Sequence, residues 1–389
     1  MTLTFARHSS TGPARRKGSL LLAVFLALLS LPATLPAQSG VPTLTLGPQR
    51  FTTGDLELDQ VRGAGVLPDG RIAIANAGTS NVLIVNRRGT VDKRFGRQGE
   101  GPGDFGGLNR IATFGDTIVT YDGLLSRVTL WRTAGTVIRS FIAEAPPGQK
   151  GLVQLEAIAS PSSYLATVRV YSEQPRNGLY QNLFALFGVR GTERVTLGTH
   201  PWSHSYFYAE TDAEGGHGSA SYGTPFLGES LVASAAGKTL LLVIGESRVT
   251  IRRADGTQGG VALPIVPISG RERAKAYADA MIASVKDPDP GWVRKFRLIF
   301  GANFPVVERQ AIAQRAVTVG GTVWFQEFRK PKDAVATWWI VDARREALVG
   351  RLTLAATSTI LGGNDQQLLV LQTDADGVQS VVVFDRPKY

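Results

Sequence analysis

The chain of 389 residues contains no cysteine. That excludes a disulfide framework, a thiol nucleophile and a lipid anchor of the cysteine type. The fold must therefore hold by burial alone, which a chain of this length can supply. No apolar run is long enough for a comfortable membrane span of about 20 residues; the longest, Leu20 to Leu29, stops well short. There is no Gly-x-Ser-x-Gly elbow for a serine hydrolase. Nor is there a basic run interleaved with aromatics, as single-stranded nucleic acid requires. Nucleic acid is not an expected partner.

What is present begins with a basic region, Arg7, Arg15, Arg16 and Lys17, ahead of the Leu20 to Leu29 run and the small residue at Leu35-Pro36-Ala37. This order reads as a secretory signal peptide over residues 1–37, with an uncleaved anchor as the alternative. The expected location is exported, periplasmic or extracellular, with no membrane span after cleavage. Cleavage also lowers the charge from +10 to +6, with 38 basic and 32 acidic residues left. An excess so thinly spread is a solvated surface.

Residues 38–389 are built from one repeated unit. Gln60 to Leu67, Arg71 to Ala75, Val82 to Val85 and a polar run ending at Phe95 alternate between turns such as Pro68-Asp69-Gly70 and Arg88-Gly89. That is four short antiparallel strands. The third strand recurs from Arg127, Leu183, Arg248, Thr337 and Ser380, at spacings of 43 to 89 residues, against about 40 to 50 for a bare propeller blade. Six copies predict an all-β, six-bladed β-propeller with insertions in its middle blades. Thr43 to Phe51 forms one more strand and the last copy holds only three. The N-terminal strand is thus expected to complete the last blade and close the ring.

Strand parity separates two faces. One carries only tight turns. The other carries every long connection: Arg97 to Gly107, Tyr171 to Asn182, Thr199 to Leu227, Ser269 to Arg309 and Phe328 to Ala336. Long loops on a rigid scaffold are where binding residues sit.

Phe95-Gly96-Arg97-Gln98-Gly99-Glu100-Gly101-Pro102-Gly103-Asp104-Phe105 resembles the Gly-rich crossover of six-bladed propellers of the NHL-like group, found in bacterial exported proteins. Pro225-Phe226, Val323-Trp324-Phe325 and Thr373 to Val378 are similar too. The resemblance implies the fold and leaves the activity open. The Gly-rich loop runs into a strand, so it lacks the helix N-terminus of a phosphate cradle. Its glycines are expected to let Phe105 tuck between blades.

Three features bear on function. His200, His204 and His217, with Trp202, Tyr206, Phe207, Tyr208, Glu210 and Asp212, form a His/aromatic loop between the third and fourth blades. It is readable as a zinc-type site on His200, His204 and His217, as the wall of a ligand pocket, or as rim packing. Residues 269–309 hold the helical insertion between blades four and five. Ser269 and Glu272 suggest a capping box, and Ala274, Tyr277, Ala278, Met281, Ile282 and Val285 an apolar stripe. Aligning the repeats sets Arg62, Arg110, Glu156 and Arg315 at the channel mouth, with Asn76 and Asp122 at the ends of second strands. Three arginines favour an anionic ligand. A calcium lactonase or esterase would need several carboxylates and an amide converging on a metal.

The sequence therefore reads as a monomeric binding or interaction module of the cell envelope. Its ligand, a small molecule with a lean toward an anion, or a protein or peptide, would occupy the long-loop face beneath the helical lid. No cofactor is expected; a metal-assisted hydrolase or lyase using calcium or zinc is the alternative.

Overall fold

The structure is a computed structural model that describes residues 40–54, 56–170, 177–211, 217–235, 239–243, 247–253, 256–266, 268–307, 312–329 and 333–389. The signal segment expected over 1–37 lies outside them. No helix among the described residues is long and apolar enough to cross a membrane.

The repeat seen in the sequence folds as an antiparallel meander. Its first instance comprises Val61–Val66, Ile72–Asn76, Asn81–Val85 and Val91–Phe95, each strand pairing with the next. The second is Leu108–Phe114, Thr117–Asp122, Arg127–Arg132 and Val137–Ile142. The third starts with Val153–Ser160 and Ser163–Val170. It continues in two long strands, Gly178–Arg190 and Glu193–Thr211, and gains a fifth, His217–Gly223. The fourth runs Leu231–Ala235, Thr239–Val243, Arg248–Arg253 and Gln258–Ala262. The fifth is Ala313–Val319, Thr322–Glu327, Val335–Asp342 and Ala347–Ala355. The last holds Ser358–Gly363, Gln367–Thr373 and Gln379–Asp385.

In the first unit the two middle strands are buried at every position, whereas Val91–Phe95 is largely exposed. Alternation explains how both faces are covered. Side chains on a strand point to opposite faces in turn. Ile72, Ile74, Leu83 and Val85 pack with Leu369, Leu371, Val381 and Val383 of the last unit. Ala73, Ala75, Val82 and Ile84 pack the other way, on Leu108, Ile118 and Trp131 of the second. The same division recurs at Val323 and Phe325 against Trp324. The core is thus a series of layers between neighbouring units. First strands lie against one another in succession, the last against the first. Sheets stacked face to face around a line of inner strands make this fold a β-propeller.

The Gly-rich crossover acts as a packing device. Phe105 is buried against Trp131, ring centroids 5.8 Å apart. Gly96 sits at φ +83, and a Cβ there would overlap the Phe105 ring.

Three local expectations are corrected. Thr43 to Phe51 is two strands: Thr43–Leu44 runs parallel to Ala347–Ala355, and Gln49–Thr52 pairs antiparallel with Gln379–Asp385. The break falls at Gly47-Pro48, where a Cβ on Gly47 would come within 2.5 Å of the Asp385 carbonyl oxygen. Thr199 to Leu227 is mostly strand and not a loop. Its Tyr206, Tyr208 and Tyr222 alternate onto one face, as a strand requires, and Pro201 is accommodated beside a register shift at Gln181/Leu183. Ser269 is the N-cap of α1 (Gly270–Ser284), but its side chain makes no capping hydrogen bond.

α2 (Pro290–Phe300) is capped properly, Asp289 Oδ1 accepting from the Trp292 N–H at 2.7 Å. The helices share a separate aromatic core with the extended strands: Phe226, Phe296, Phe300 and Phe304 at its centre, Tyr206, Tyr208, Tyr222 and Tyr277 around it. Ala274 and Ala278 of the expected stripe are buried, whereas Met281 and Val285 are exposed. Arg273 joins this module to the fifth unit. It donates to the Phe226 carbonyl at 3.3 Å and lies 4.2 Å over the Phe328 ring.

Phe51 is buried within the layer between the first and last units. Phe51→Ala should therefore cost about 3 kcal/mol in urea denaturation. Arg50→Ala, which removes only an exposed pair with Asp385, should cost under ~1 kcal/mol. Equal, small losses would detach the N-terminal strand from the core.

Candidate anion site at the channel mouth

The first strand of each unit lines the axis, and five of them share an irregularity. The pairing register shifts between Val61/Gly63, Leu108/Arg110, Leu155/Ala157, Ala313/Arg315 and Ile360/Gly362. Such a bulge leaves one residue unpaired and re-aims the side chains around it. Arg62 and Glu156 occupy the extra position, and Arg110 and Arg315 directly follow one.

These residues form a connected charged group. An Arg110 guanidinium N–H donates to Glu156 Oε2 at 3.2 Å, and Thr167 Oγ1 donates to Glu156 Oε1 at 2.8 Å. Tyr121, its phenol pushed up to about 12 by burial, donates to the Val153 carbonyl and braces the strand that carries Glu156. Arg62 donates to Gln60 Oε1 at 3.2 Å. The Arg315 side chain has no hydrogen bond or ion pair among the described residues. Solvent reaches its side chain, yet surrounding protein and then Arg110 and Arg62 pull its pKa below the ordinary guanidinium value. Like charges lie near one another here, and among the described residues only Arg110 is ion-paired, with Glu156.

Glu229 belongs to the same group and was missed by the repeat alignment, which can be carried on to the residues just before Leu231–Ala235. Trp202 Nε1 donates to Glu229 Oε2 at 3.2 Å. Burial pushes the Glu229 carboxyl up, the Trp202 bond draws it down, and Glu156 pushes it up again. Trp202 therefore sits at the channel group, with its ring against the Phe184, Leu186 and Val232 cluster.

The remaining expected site residues lie elsewhere or are already engaged. Asn76 is fully buried; its Oδ1 accepts from the Asp59 N–H, and its Nδ2 donates to the Glu57 carbonyl and Thr79 Oγ1. Asp122 is buried too, Oδ2 taking the Gly106 and Gly107 N–H groups and Oδ1 those of Leu124 and Leu125. Both are loop staples. Tyr206 and Tyr208 belong to the aromatic core beside the helices. His200 packs at 5.8 Å from Phe184, its Nε2 buried without a hydrogen-bond partner among the described residues. His204 Nε2 stands 3.5 Å from Gln181 Nε2. Burial holds both imidazoles below their usual pKa. The side chain of His217 is outside the described set, as are those of Glu210 and Asp212. Among the described residues no three His, Asp or Glu side chains are placed to hold a metal. The donor set fits calcium poorly, because the carboxylates and amide proposed for it are spent on arginine, threonine and backbone N–H groups.

No family model and no curated protein matches the chain. Similar solved structures include a Bacteroides fragilis protein taken to be exported, at TM-score 0.44 and 10% identity, covering 90% of this chain and 95% of that one. A member of the DUF4221 family from Bacteroides vulgatus reaches 0.45 at 10% identity, over 89% and 96%. The β-propeller domain of the Trilobed protease from Pyrococcus furiosus reaches 0.40 at 13%, over 85% and 83%. Likenesses this distant carry nothing about ligand or activity, and the propeller assignment rests on the strand pairing.

Glu229→Gln should raise the melting temperature at pH 8, where the wild-type carboxylate is charged and poorly solvated. The gain should shrink as pH falls through the raised folded pKa and vanish below the unfolded value of about 4.3. Melts between pH 4 and 8 check this. A pH-independent difference would mean that the carboxylate is as well solvated as in the unfolded chain.

Proposed function

We propose that this chain is an exported six-bladed β-propeller of the NHL-like kind that binds an anionic ligand, without catalysis, at the channel mouth on its long-loop face. Six blades are supported by the meander units and by the layer of core between each unit and the next. Closure is supported by Gln49–Thr52 pairing with the last unit. Export is supported by the N-terminal basic and apolar pattern. The mature chain would begin at Gln38, which N-terminal sequencing of the secreted protein tests directly.

The ligand class rests on one observation: Arg62, Arg110 and Arg315 share equivalent places beside bulges in neighbouring first strands, the first two lower the pKa of the third, and among the described residues no carboxylate pairs with Arg315. Mutual repulsion makes this arrangement costly to the empty protein, and a bound anion would relieve it. Arginine is suited to the task because its planar fork grips carboxylate or phosphate through two parallel bonds. The calcium-hydrolase alternative has no comparable support, since Glu156, Asp122 and Asn76 are engaged by arginine, threonine and backbone N–H groups.

Arg315→Gln should raise the melting temperature of the ligand-free protein, by removing the repulsion. The same change should abolish the upward shift that carboxylates of a screening panel produce in the wild type. A ligand at 100 times its Kd adds about 2.7 kcal/mol to stability, which a thermal-shift assay resolves. An unchanged ligand shift in Arg315→Gln, or no shift with any carboxylate in the wild type, would overturn the reading.

A further inference from the structure

The turn face of the first unit carries charge that the repeat does not call for. Its two turns enclose an open recess of about 380 Å³. Asp69 and Arg71 line it from one turn, Asn86, Arg87 and Arg88 from the next, and Asp92 from the outer strand. The second of these turns has a direct counterpart in the second unit. Asn86 N–H donates to the Thr90 carbonyl and accepts, at its own carbonyl, from Gly89; Arg132 does the same with Thr136 and Gly135. The two central positions are Arg87-Arg88 in the first unit and Thr133-Ala134 in the second. The turn therefore needs no cation at either place.

One of the three arginines is neutralised. Arg71 Nε meets Asp69 Oδ2 at 2.7 Å, and its Nη1 stands 3.8 Å from Asp92 Oδ2. Neither Arg87 nor Arg88 has an ion pair among the described residues. Arg87 is held by backbone instead. It donates to the Asp69 carbonyl, and a Cβ on Gly70 would come within 2.5 Å of its Nε. Asn86 fixes the rest of the wall. Its Oδ1 accepts from the Arg88 N–H at 2.9 Å, and its Nδ2 donates to Asp92 Oδ1 at 2.7 Å. Gly89 is pressed against the closing strand, where a Cβ would overlap the Thr52 carbonyl oxygen. The recess is thus formed in advance, which lowers the ordering cost of binding.

We propose that this recess is a second ligand site, for a phosphate monoester of a sugar or polyol. Two guanidinium groups without a carboxylate match the roughly two negative charges of such a phosphate at neutral pH. Their planar forks suit its oxygens. The recess lies within the range of about 300–1,000 Å³ that small-molecule sites occupy, so it has room for more than a bare anion. An ionised carboxylate offers about four acceptor positions. Asp69 uses two of them on the N–H and Nε of Arg71, and Asp92 likewise serves Arg71 and Asn86. The positions left over accept from hydroxyl groups. This site owes nothing to the channel mouth and stands independently of it.

The test uses the whole mature protein and three probes in isothermal titration: glucose 6-phosphate, inorganic phosphate and glucose. Wild type is expected to bind glucose 6-phosphate at least about tenfold more tightly than either of the others. Arg87→Thr/Arg88→Ala installs the residues of the second unit's turn and so keeps the fold. It should weaken glucose 6-phosphate at least about tenfold. Lys93→Gln removes an equally exposed charge from the outer strand, outside the recess, and should change the affinity by less than about twofold. If Lys93→Gln weakens binding as much as the double change, the attraction is diffuse and the site fails. It fails too if the double variant binds like wild type, or if wild type does not bind glucose 6-phosphate. Inorganic phosphate or glucose binding as tightly as the sugar phosphate would overturn the ligand class. The comparison among probes on wild-type protein stands even if a variant does not fold.

Discussion

The structure depends on the burial of both faces of every middle strand. Ile72 and Ile74 look one way and Ala73 and Ala75 the other, and all four are out of water. Each fully buried aliphatic side chain of this kind contributes about 1.5–3 kcal/mol. A single unit can collect that only when a neighbour covers each face. Isolated, it would expose two apolar surfaces and a pair of strand edges. The same demand explains why the chain needs no disulfides. Trp324 and Trp338 on one side of the fifth unit, and Phe325 and Trp339 on the other, fasten it to both neighbours at once.

Packing sheets in this way brings their first strands together around the axis, and the charged group follows from that convergence. A regular strand would send alternate side chains into the layers between units. The bulges break that alternation at the mouth. They let Arg62, Glu156, Arg110 and Arg315 appear where apolar packing would otherwise continue. Nothing in the fold requires three arginines there, and the Arg315 side chain gains no partner among the described residues. The proposed anion site rests on this unreturned cost, since natural chains break local rules chiefly where function compensates.

The repeat was legible because inner strands are apolar, short and closed by Asp-Gly, Arg-Gly or Gly-Gly turns. That pattern survives even where its spacing varies. Arg62, Arg110, Glu156 and Arg315 were legible for the same reason, since alignment of repeats assigns position without structure. Glu229 was not, because it follows the turn of Pro225–Leu227 in a connection whose length conceals its equivalence. Asn76 and Asp122 were placed at the correct strand ends, but hydrogen bonding to backbone N–H groups cannot be read from position alone. The His200 to Tyr222 segment misled in a different way. His-x3-His beside Pro201 suggested an irregular loop, whereas the bulge near Asn182 lets an extended strand absorb the proline.

That strand gives the insertions a purpose. Gly178–Arg190 and Glu193–Thr211 extend past the other strands of their unit, and α1 and α2 cover the extension with the aromatic core around Phe300. Without the helices, Tyr206 and Tyr222 would stand in water and the long strands would lack support. Trp202 lies between this buttressed module and the channel. Its ring belongs to the layer between the third and fourth units, and its N–H holds Glu229. The helical insertion thus bears on Glu229 through the strand that carries Trp202. Rigidity supplied at the aromatic core thereby reaches the hydrogen bond from Trp202 to the Glu229 carboxylate.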